Sequence, residues 1–413
     1  MTNKRIETYL ESVSEKSISI FYSGGLAKKS NDQSYPFHVN RSFYYFSQIN
    51  QADSILVIIK GETLTKSYVF IEKRSAERIL WDGDTLSFDH ALSLSGVDEI
   101  KDRTTFDDFI STILSANRTN VFGELDTLYL DFEAKPMGAL SDWVSHYAEN
   151  VLKQYPFLSI KNNHLLLATL RMKKDEHEFQ LIQSAVDISV KAFHHIMKKA
   201  KDVNTEYELE AEYNYILNKH RVKPSFDTIV ASGGNATVLH YVNNNDHIGD
   251  DQLILVDAGV EYEQYCSDIT RTFPKSGTFT PRQKEIYELV LKANEETIKW
   301  VKPGITLKEF NDFGKKILTE GLKSMGLIKE DDEIIKYYYH SLGHSLGLDV
   351  HDIANYAKPI VAGHMLTVEP GLYIKEEGIG IRIEDNILIT HDGCINLSKD
   401  IIKSVKDIEN LMK

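Results

Sequence analysis

The sequence predicts an α/β domain over residues 1–170, followed by a second domain over residues 171–413 in which long helices alternate with strands. Two observations separate them. Up to about residue 170, short runs of β-branched and aromatic residues alternate with polar segments of helical spacing. Beyond it, helix patterns carry well-formed start signals, and the strand-like runs between them end in carboxylates.

In the first domain the strand-like runs are "SISIFYS" (17–23), "SILVIIKG" (54–61), "SYVFIEK" (67–73) and "TLYLDFE" (127–133). "TTFDDFISTILSA" lies between them and has apolar residues at helical spacing. The opening "MTNKRIETYLESVSEKS" is polar and has no apolar core, so no secretory signal is expected. Gly24 and Gly25 are not followed by a P-loop lysine arrangement and receive no phosphate role.

In the second domain Phe179, Ile182, Val186, Val190, Phe193 and Met197 form one helical stripe. Thr205 with Glu208, Thr280 with Gln283, and Thr306 with Glu309 have capping-box spacing, and Pro281 stands at the first helical position of its segment. The intervening strands are expected in "FDTIVASG", "DQLILVDAG", "YCSDITRTFP", "HMLTVEPGLYI" and "GIGIRIEDNILIT".

Composition excludes several function classes. With 42% hydrophobic residues and only 9 prolines in 413, the chain has ample material for a core. A formal net charge of −14 argues against general nucleic-acid binding, which needs a basic surface. No run approaches the roughly 20 apolar residues that cross a bilayer. The two cysteines, Cys266 and Cys394, form no C-x-x-C pair, so a reducing, cytoplasmic compartment is expected.

Chemistry concentrates in "YYYHSLGHSLGLDVHD", which holds His340, His344 and His351. Their spacing would put all three on one face of a helix. Gly343 and Gly347 argue against a helix, and Ser341 stands where the H-E-x-x-H motif requires glutamate. By itself the segment leaves open whether it binds metal or lines a cleft with hydrogen-bonded histidines.

The carboxylates extend the case. Asp257 ends "LILVDAG", and Asp268 follows 11 residues later; two strands joined through "GVEYEQ" would set them side by side. Glu369 closes "LTVE". Glu384 lies in "IRIED", with Arg382 two residues earlier on the same strand face. Arg382 and Glu384 also fit an exposed surface pair, and His240 in "TVLHYVNN" fits a satisfied core histidine. Four carboxylates in otherwise apolar strands are costly to bury unless paired or bound to cations. With one histidine they exceed a tetrahedral site and match two divalent ions. The oxygen-rich set favours Mn²⁺, with Co²⁺, Fe²⁺ and Zn²⁺ as alternatives. A metal pair about 3.5–4 Å apart polarises a carbonyl and activates water, which is hydrolytic chemistry.

In order along the chain, "VLHY", "VDAG", "SDITRTFP", "HSLGHSLGLDVHD", "LTVEPGLYI" and "GIRIED" resemble the proline-specific metallopeptidases of the pita-bread fold, in particular the Xaa-Pro aminopeptidase (aminopeptidase P) family. "SNDQSYPFHVNRSFYYFS" and "NLSKDIIKSVKDIENLM" extend the resemblance over nearly the whole chain. It implies a creatinase-like α/β N-terminal domain and an α+β pita-bread catalytic domain. It further implies that Asp257 chelates a first metal, Asp268 and Glu384 bridge both, and His344 with Glu369 completes the second. His240, His340 and His351 are implied on the substrate side, and Arg382 as the group that neutralises and orients the carboxylates.

The implied reaction is hydrolysis of the bond between an N-terminal residue and a following proline, in peptide substrates. Glu369 is implied as proton acceptor, and a homodimer or homotetramer as the assembly. Phe226, His38 and Ala354 depart from the family pattern, where tyrosine, arginine and glycine are frequent. The nearest rival is Xaa-Pro dipeptidase (prolidase), with the same ligands and dipeptide-only substrates. A remoter one is a non-catalytic pita-bread binding protein.

Overall fold

Residues 3–115, 121–133 and 142–413 are described by the computed structural model, and the chain divides into two units, Met1–Leu170 and Arg171–Lys413.

In the first unit, β1 (Ser17–Tyr22), β2 (Ile55–Lys60), β3 (Thr65–Ile71), β4 (Glu99–Asp102), β5 (Thr127–Leu130) and β6 (Ser159–Asn162) form one sheet in the order β4-β3-β2-β1-β5-β6. The β1–β2 and β2–β3 pairs are antiparallel and the other three are parallel. β2 is buried along nearly its whole length, which explains its unbroken apolar sequence. Ile55, Val57 and Ile59 pack with Ile18, Phe70 and Phe106 in the core. Phe106 begins the helix Phe106–Leu114 expected from "TTFDDFISTILSA"; Ala116 of that stretch lies outside the described residues. Of the aromatic run near residue 40, Phe43, Tyr44, Tyr45 and Phe46 are buried in the helix Arg41–Ser47, whereas Tyr35 is exposed.

The second unit begins with the helix Glu176–Lys199, opened by an Asp175–Glu178 capping box. Its buried stripe runs through Ile182, Ala185, Val186, Ser189, Phe193 and Met197. The stripe is rotated slightly from the expected one, so Phe179 and Val190 are only half-buried. The helices Pro281–Trp300 and Leu307–Ser324 start at complete Thr280–Gln283 and Thr306–Glu309 capping boxes. At the helix Glu206–Lys219, Glu208 accepts from the Thr205 N–H at 3.1 Å.

Short antiparallel strands lie among these helices. β7 (Lys223–Pro224), β10 (Val260–Tyr262) and β11 (Tyr265–Cys266) form one small sheet, and β8 (Ile229–Ser232), β9 (Leu253–Ala258) and β12 (Ile269–Pro274) another. β13 (Met365–Val368) pairs with β16 (Asp385–Ile389), which pairs with β17 (Cys394–Asn396). β14 (Gly371–Ile374) pairs with β15 (Ile379–Arg382). No helix among the described residues is long and apolar enough to cross a membrane.

The histidine-rich segment is not helical. It runs extended beside β13, where the Thr367 N–H donates to the His344 carbonyl at 3.0 Å and the Glu369 N–H to the Leu342 carbonyl at 2.8 Å. Gly343 explains the choice. A Cβ there would stand 2.1 Å from the Thr367 carbonyl oxygen, so only glycine lets the two backbones approach.

Candidate metal centre

β9 and β12 pair antiparallel with Asp257 opposite Thr270, and Asp268 directly precedes β12. The hairpin of β10 and β11 supplies the turn between them, so the two aspartates reach one site as their spacing suggests. Alternation along β12 then separates neighbours. Thr270 donates to Glu384 Oε2 at 2.7 Å, while Arg271 points the other way and pairs with Asp385 at 2.7 Å. Arg271 also donates to the Glu384 carbonyl at 2.6 Å and is wholly buried, as is Asp385.

Asp268, His344 and Glu384 are all buried, and each offers a ligand atom within 4.8 Å of the other two. His344 Nε2 lies 3.3 Å from Asp268 Oδ2 and 3.5 Å from Glu369 Oε1. Its Nδ1 lies 3.1 Å from the Ser345 carbonyl, and donation there leaves Nε2 facing the carboxylates. Asp257 joins through Arg382, whose Nη2 donates to Asp257 Oδ2 at 2.6 Å. Arg382 is buried and also donates to the Thr270 hydroxyl at 3.0 Å and to the Tyr373 hydroxyl at 2.9 Å. The exposed-pair alternative for Arg382 and Glu384 is therefore excluded, and the arginine's hydrogen bond goes to Asp257.

The electrostatics are those of a cluster with too much negative charge. Burial, then Asp268, push the Glu384 carboxyl well above its usual range. Burial raises Glu369 to about 7 against the pull of His344, and Asp257 to about 6 against that of Arg382. Burial alone would lower His344, but Asp268 and Glu369 outweigh it and raise it to about 9. Two carboxylate oxygens, Asp257 Oδ1 and Glu384 Oε1, are buried without a hydrogen-bond partner. A buried carboxylate oxygen without a donor is costly, and a divalent cation removes both the cost and the mutual repulsion. The donor set thus fits bound metal.

The other predicted residues surround this cluster. His340 Nδ1 lies 2.7 Å from the Ser341 carbonyl and Nε2 2.8 Å from the Tyr373 hydroxyl. Because Arg382 donates to Tyr373, the hydroxyl is free to donate onward to Nε2; burial holds the ring's pKa down to about 4, so it is neutral. His351 stacks on His344 with ring centroids 3.8 Å apart. His240 is exposed, so the core-histidine alternative fails. With Asp257, Asp268, His351, Phe226, Ile229, Val242 and Val350, it lines a cavity of about 270 Å³. His38 lies in the first unit, where Nε2 is 2.6 Å from Arg41 Nη2.

Thr270 and Tyr373 were not singled out from the sequence, although both lie within the quoted motifs. For Thr270 a signal existed, since it stands two residues after Asp268 on the same strand face. Tyr373 had none.

A model of metallopeptidase family M24 matches residues 180–391, and one of the aminopeptidase P N-terminal domain matches residues 2–122. The chain belongs to metallopeptidase family M24. Among its M24 relatives, the Xaa-Pro aminopeptidase of Haemophilus influenzae is 36% identical, covering 93% of this chain and 90% of that one. The Escherichia coli Xaa-Pro aminopeptidase is 33% identical, covering 99% and 96%. The solved structure of E. coli aminopeptidase P with the inhibitor Pro-Leu superposes with a TM-score of 0.89 at 31% identity, over 99% of this chain and 97% of that one. The M24 match assigns residues 180–391 to the pita-bread domain and makes the chain a metallopeptidase.

Proposed function

We propose that the chain is a two-metal Xaa-Pro aminopeptidase, which hydrolyses the bond between the first residue of a peptide and a proline at the second position. The observation that carries this reading is the convergence of Asp257, Asp268, His344, Glu369 and Glu384, with two buried carboxylate oxygens lacking donors, beside a largely apolar cavity. Asp257 would chelate one ion, Asp268 and Glu384 would bridge two, and His344 with Glu369 would complete the second. The bound ions supply a polarised carbonyl and a water of lowered pKa.

The side chains do the rest. Arg382 balances the carboxylate charge and holds Asp257 in place. Glu369 accepts the proton of the attacking water. His240 and His351 face the substrate from the cavity wall. His340 acts through Tyr373, to which its Nε2 is committed. The scissile amide has no N–H, so it must be selected by shape. Phe226, Ile229, Val242 and Val350 give the cavity apolar walls suited to a pyrrolidine ring. The Pro-Leu bound to E. coli aminopeptidase P has the form of the leaving half of such a substrate.

Mn²⁺ is the metal favoured by four carboxylates and one imidazole; a zinc-substituted E. coli aminopeptidase P shows that this relative also takes zinc. The cytoplasm is the expected compartment, because two cysteines with no C-x-x-C pair are too few for a disulfide framework. The expected assembly is a homodimer or homotetramer, which light scattering at micromolar concentration would reveal.

The central test is metal analysis together with peptide assays. Activity should disappear on chelation and return best with Mn²⁺, and Asp268→Asn or Glu384→Gln should abolish it in a folded protein. Full turnover by a verified metal-free sample would refute the reading.

A further inference from the structure

Glu206 is 0% exposed, yet none of its hydrogen-bond partners is a cation. It is the first residue of the helix Glu206–Lys219. Its Oε1 accepts from the Ser232 N–H and hydroxyl, both at 2.8 Å, and from Asn235 Nδ2 at 3.0 Å. Its Oε2 accepts from the Tyr241 hydroxyl at 2.8 Å and the Asp246 N–H at 3.0 Å. The Glu206 N–H in turn donates to the Asp246 carbonyl at 3.0 Å.

An acidic residue in the first turn of a helix ordinarily needs no further account, because it complements the helix dipole. Such a role requires only nearness to the helix's own N–H groups. Here all five donors come from residues 232–246, the end of β8 and the connection from it to β9. Burying a carboxylate so completely is tolerated because both oxygens are saturated.

The clamped connection carries His240 and Val242 to the cavity shared with Asp257 and Asp268. It has few apolar anchors. Ala236 is buried and Leu239 and Tyr241 are half-buried, whereas His240 and Val242 are exposed. Asn244, at φ 44°, adds a second polar tie: its Oδ1 accepts from the Val230 N–H at 2.9 Å and its Nδ2 donates to the Thr228 carbonyl at 2.7 Å. Polar bonds, with Glu206 at their centre, therefore act together with the packing of Leu239 and Tyr241 to set the position of His240.

We infer that Glu206 is a positioning residue for peptide hydrolysis, fixing the connection that holds His240 at the cavity. The inference rests on the reading above that His240 faces the substrate.

The test is a double-mutant cycle on kcat/KM with an Xaa-Pro-Yaa tripeptide, using the Mn²⁺-loaded wild type, His240→Ala, Glu206→Gln and the double variant. Glutamine keeps the volume but turns an N–H₂ toward groups that also donate. Glu206→Gln should lower kcat/KM by roughly tenfold or more, up to the ~10²-fold that a misplaced group costs. The double variant should be no worse than His240→Ala alone, and metal content should be unchanged throughout. Hydrogen exchange should quicken at amides 233–246 and stay as in wild type in β9 and β12. Tyr241→Phe, which removes one of the five bonds, should shift both readouts the same way by less, and carries the test if Glu206→Gln does not fold. Multiplicative losses in the double variant, or unchanged exchange, would overturn the inference. A crippled His240→Ala beside a fully active Glu206→Gln and Tyr241→Phe would overturn it alone; full activity in His240→Ala would remove the substrate role of His240 and the inference with it.

Discussion

Arg382 reaches across from the end of β15 to Asp257 on β9, donating at 2.6 Å, and its other two nitrogens are held by Thr270 and Tyr373. Three acceptors at fixed angles match the planar guanidinium and not a lysine ammonium. Arg382→Lys should therefore weaken metal binding by roughly 10–100-fold, the usual loss when a supporting group is removed from a ligand. Chelator competition would measure it; unchanged affinity would refute this supporting role of Arg382.

The three clustered histidines should separate by metal content. His344 turns Nε2 to Asp268 and Glu369, so His344→Ala should lose metal. His340 is committed to Tyr373, and His351 only stacks on His344, so His340→Ala and His351→Ala should keep metal and turn over slowly. Elemental analysis beside kcat decides this, and equal metal loss in all three would show the roles to be misassigned.

The metal-free protein should lose stability as pH rises from about 6.5 to 9. The His344 pKa is raised from 6.5 to about 9, so its stabilisation is complete below 6.5 and is lost as pH rises through 9. The raised Glu384 carboxyl works in the same direction, its stabilisation fading as the buried group ionises. His340 and His364, held down at about 4 and about 3, lose stabilisation only as pH falls below 6.5, outside this window. Each tenfold change in proton affinity is worth about 1.4 kcal/mol, so the loss is on the order of a few kcal/mol. Tm of the metal-free wild type should fall more steeply than that of His344→Gln. Added Mn²⁺ should abolish the fall, because the ligands bind it deprotonated. Parallel slopes for the two proteins would contradict this.

Tripeptides and longer chains should be cleaved at the Xaa-Pro bond. A dipeptidase needs a cation to hold the free carboxylate of the proline. Within the catalytic motifs the two arginines are Arg271 and Arg382. Arg271 is buried against Asp385, and Arg382 is fully engaged with the carboxylate cluster. Neither is free for a substrate carboxylate. Comparing kcat/KM for an Xaa-Pro dipeptide and its Xaa-Pro-Yaa extension tests this. Cleavage confined to dipeptides would make the chain a prolidase.

The sequence by itself determined β1, β2, β3 and β5 of the first unit and β8, β9 and β12 to β16 of the second, though not the short strands β4, β6, β7, β10 and β17, together with the capping boxes at Thr280 and Thr306 and the meeting of Asp257 with Asp268. These depend on local periodicity and on one antiparallel pairing, both of which leave a trace in residue spacing. Gly343 and Gly347 already spoke against a helix in the sequence, but tertiary structure decided that the segment runs extended along β13, because the reason lies 24 residues away, in the Thr367 carbonyl that crowds Gly343. It also decided that Arg382 serves Asp257 rather than its strand neighbour Glu384, and that Tyr373 joins Arg382 to His340. Glu206 is the clearest case. At a helix start it looks like any acidic first-turn residue, and only the fold brings residues 232–246 onto its carboxylate. Hydrogen bonds between distant segments depend on how elements dock, and docking is set by packing that no short window of sequence contains.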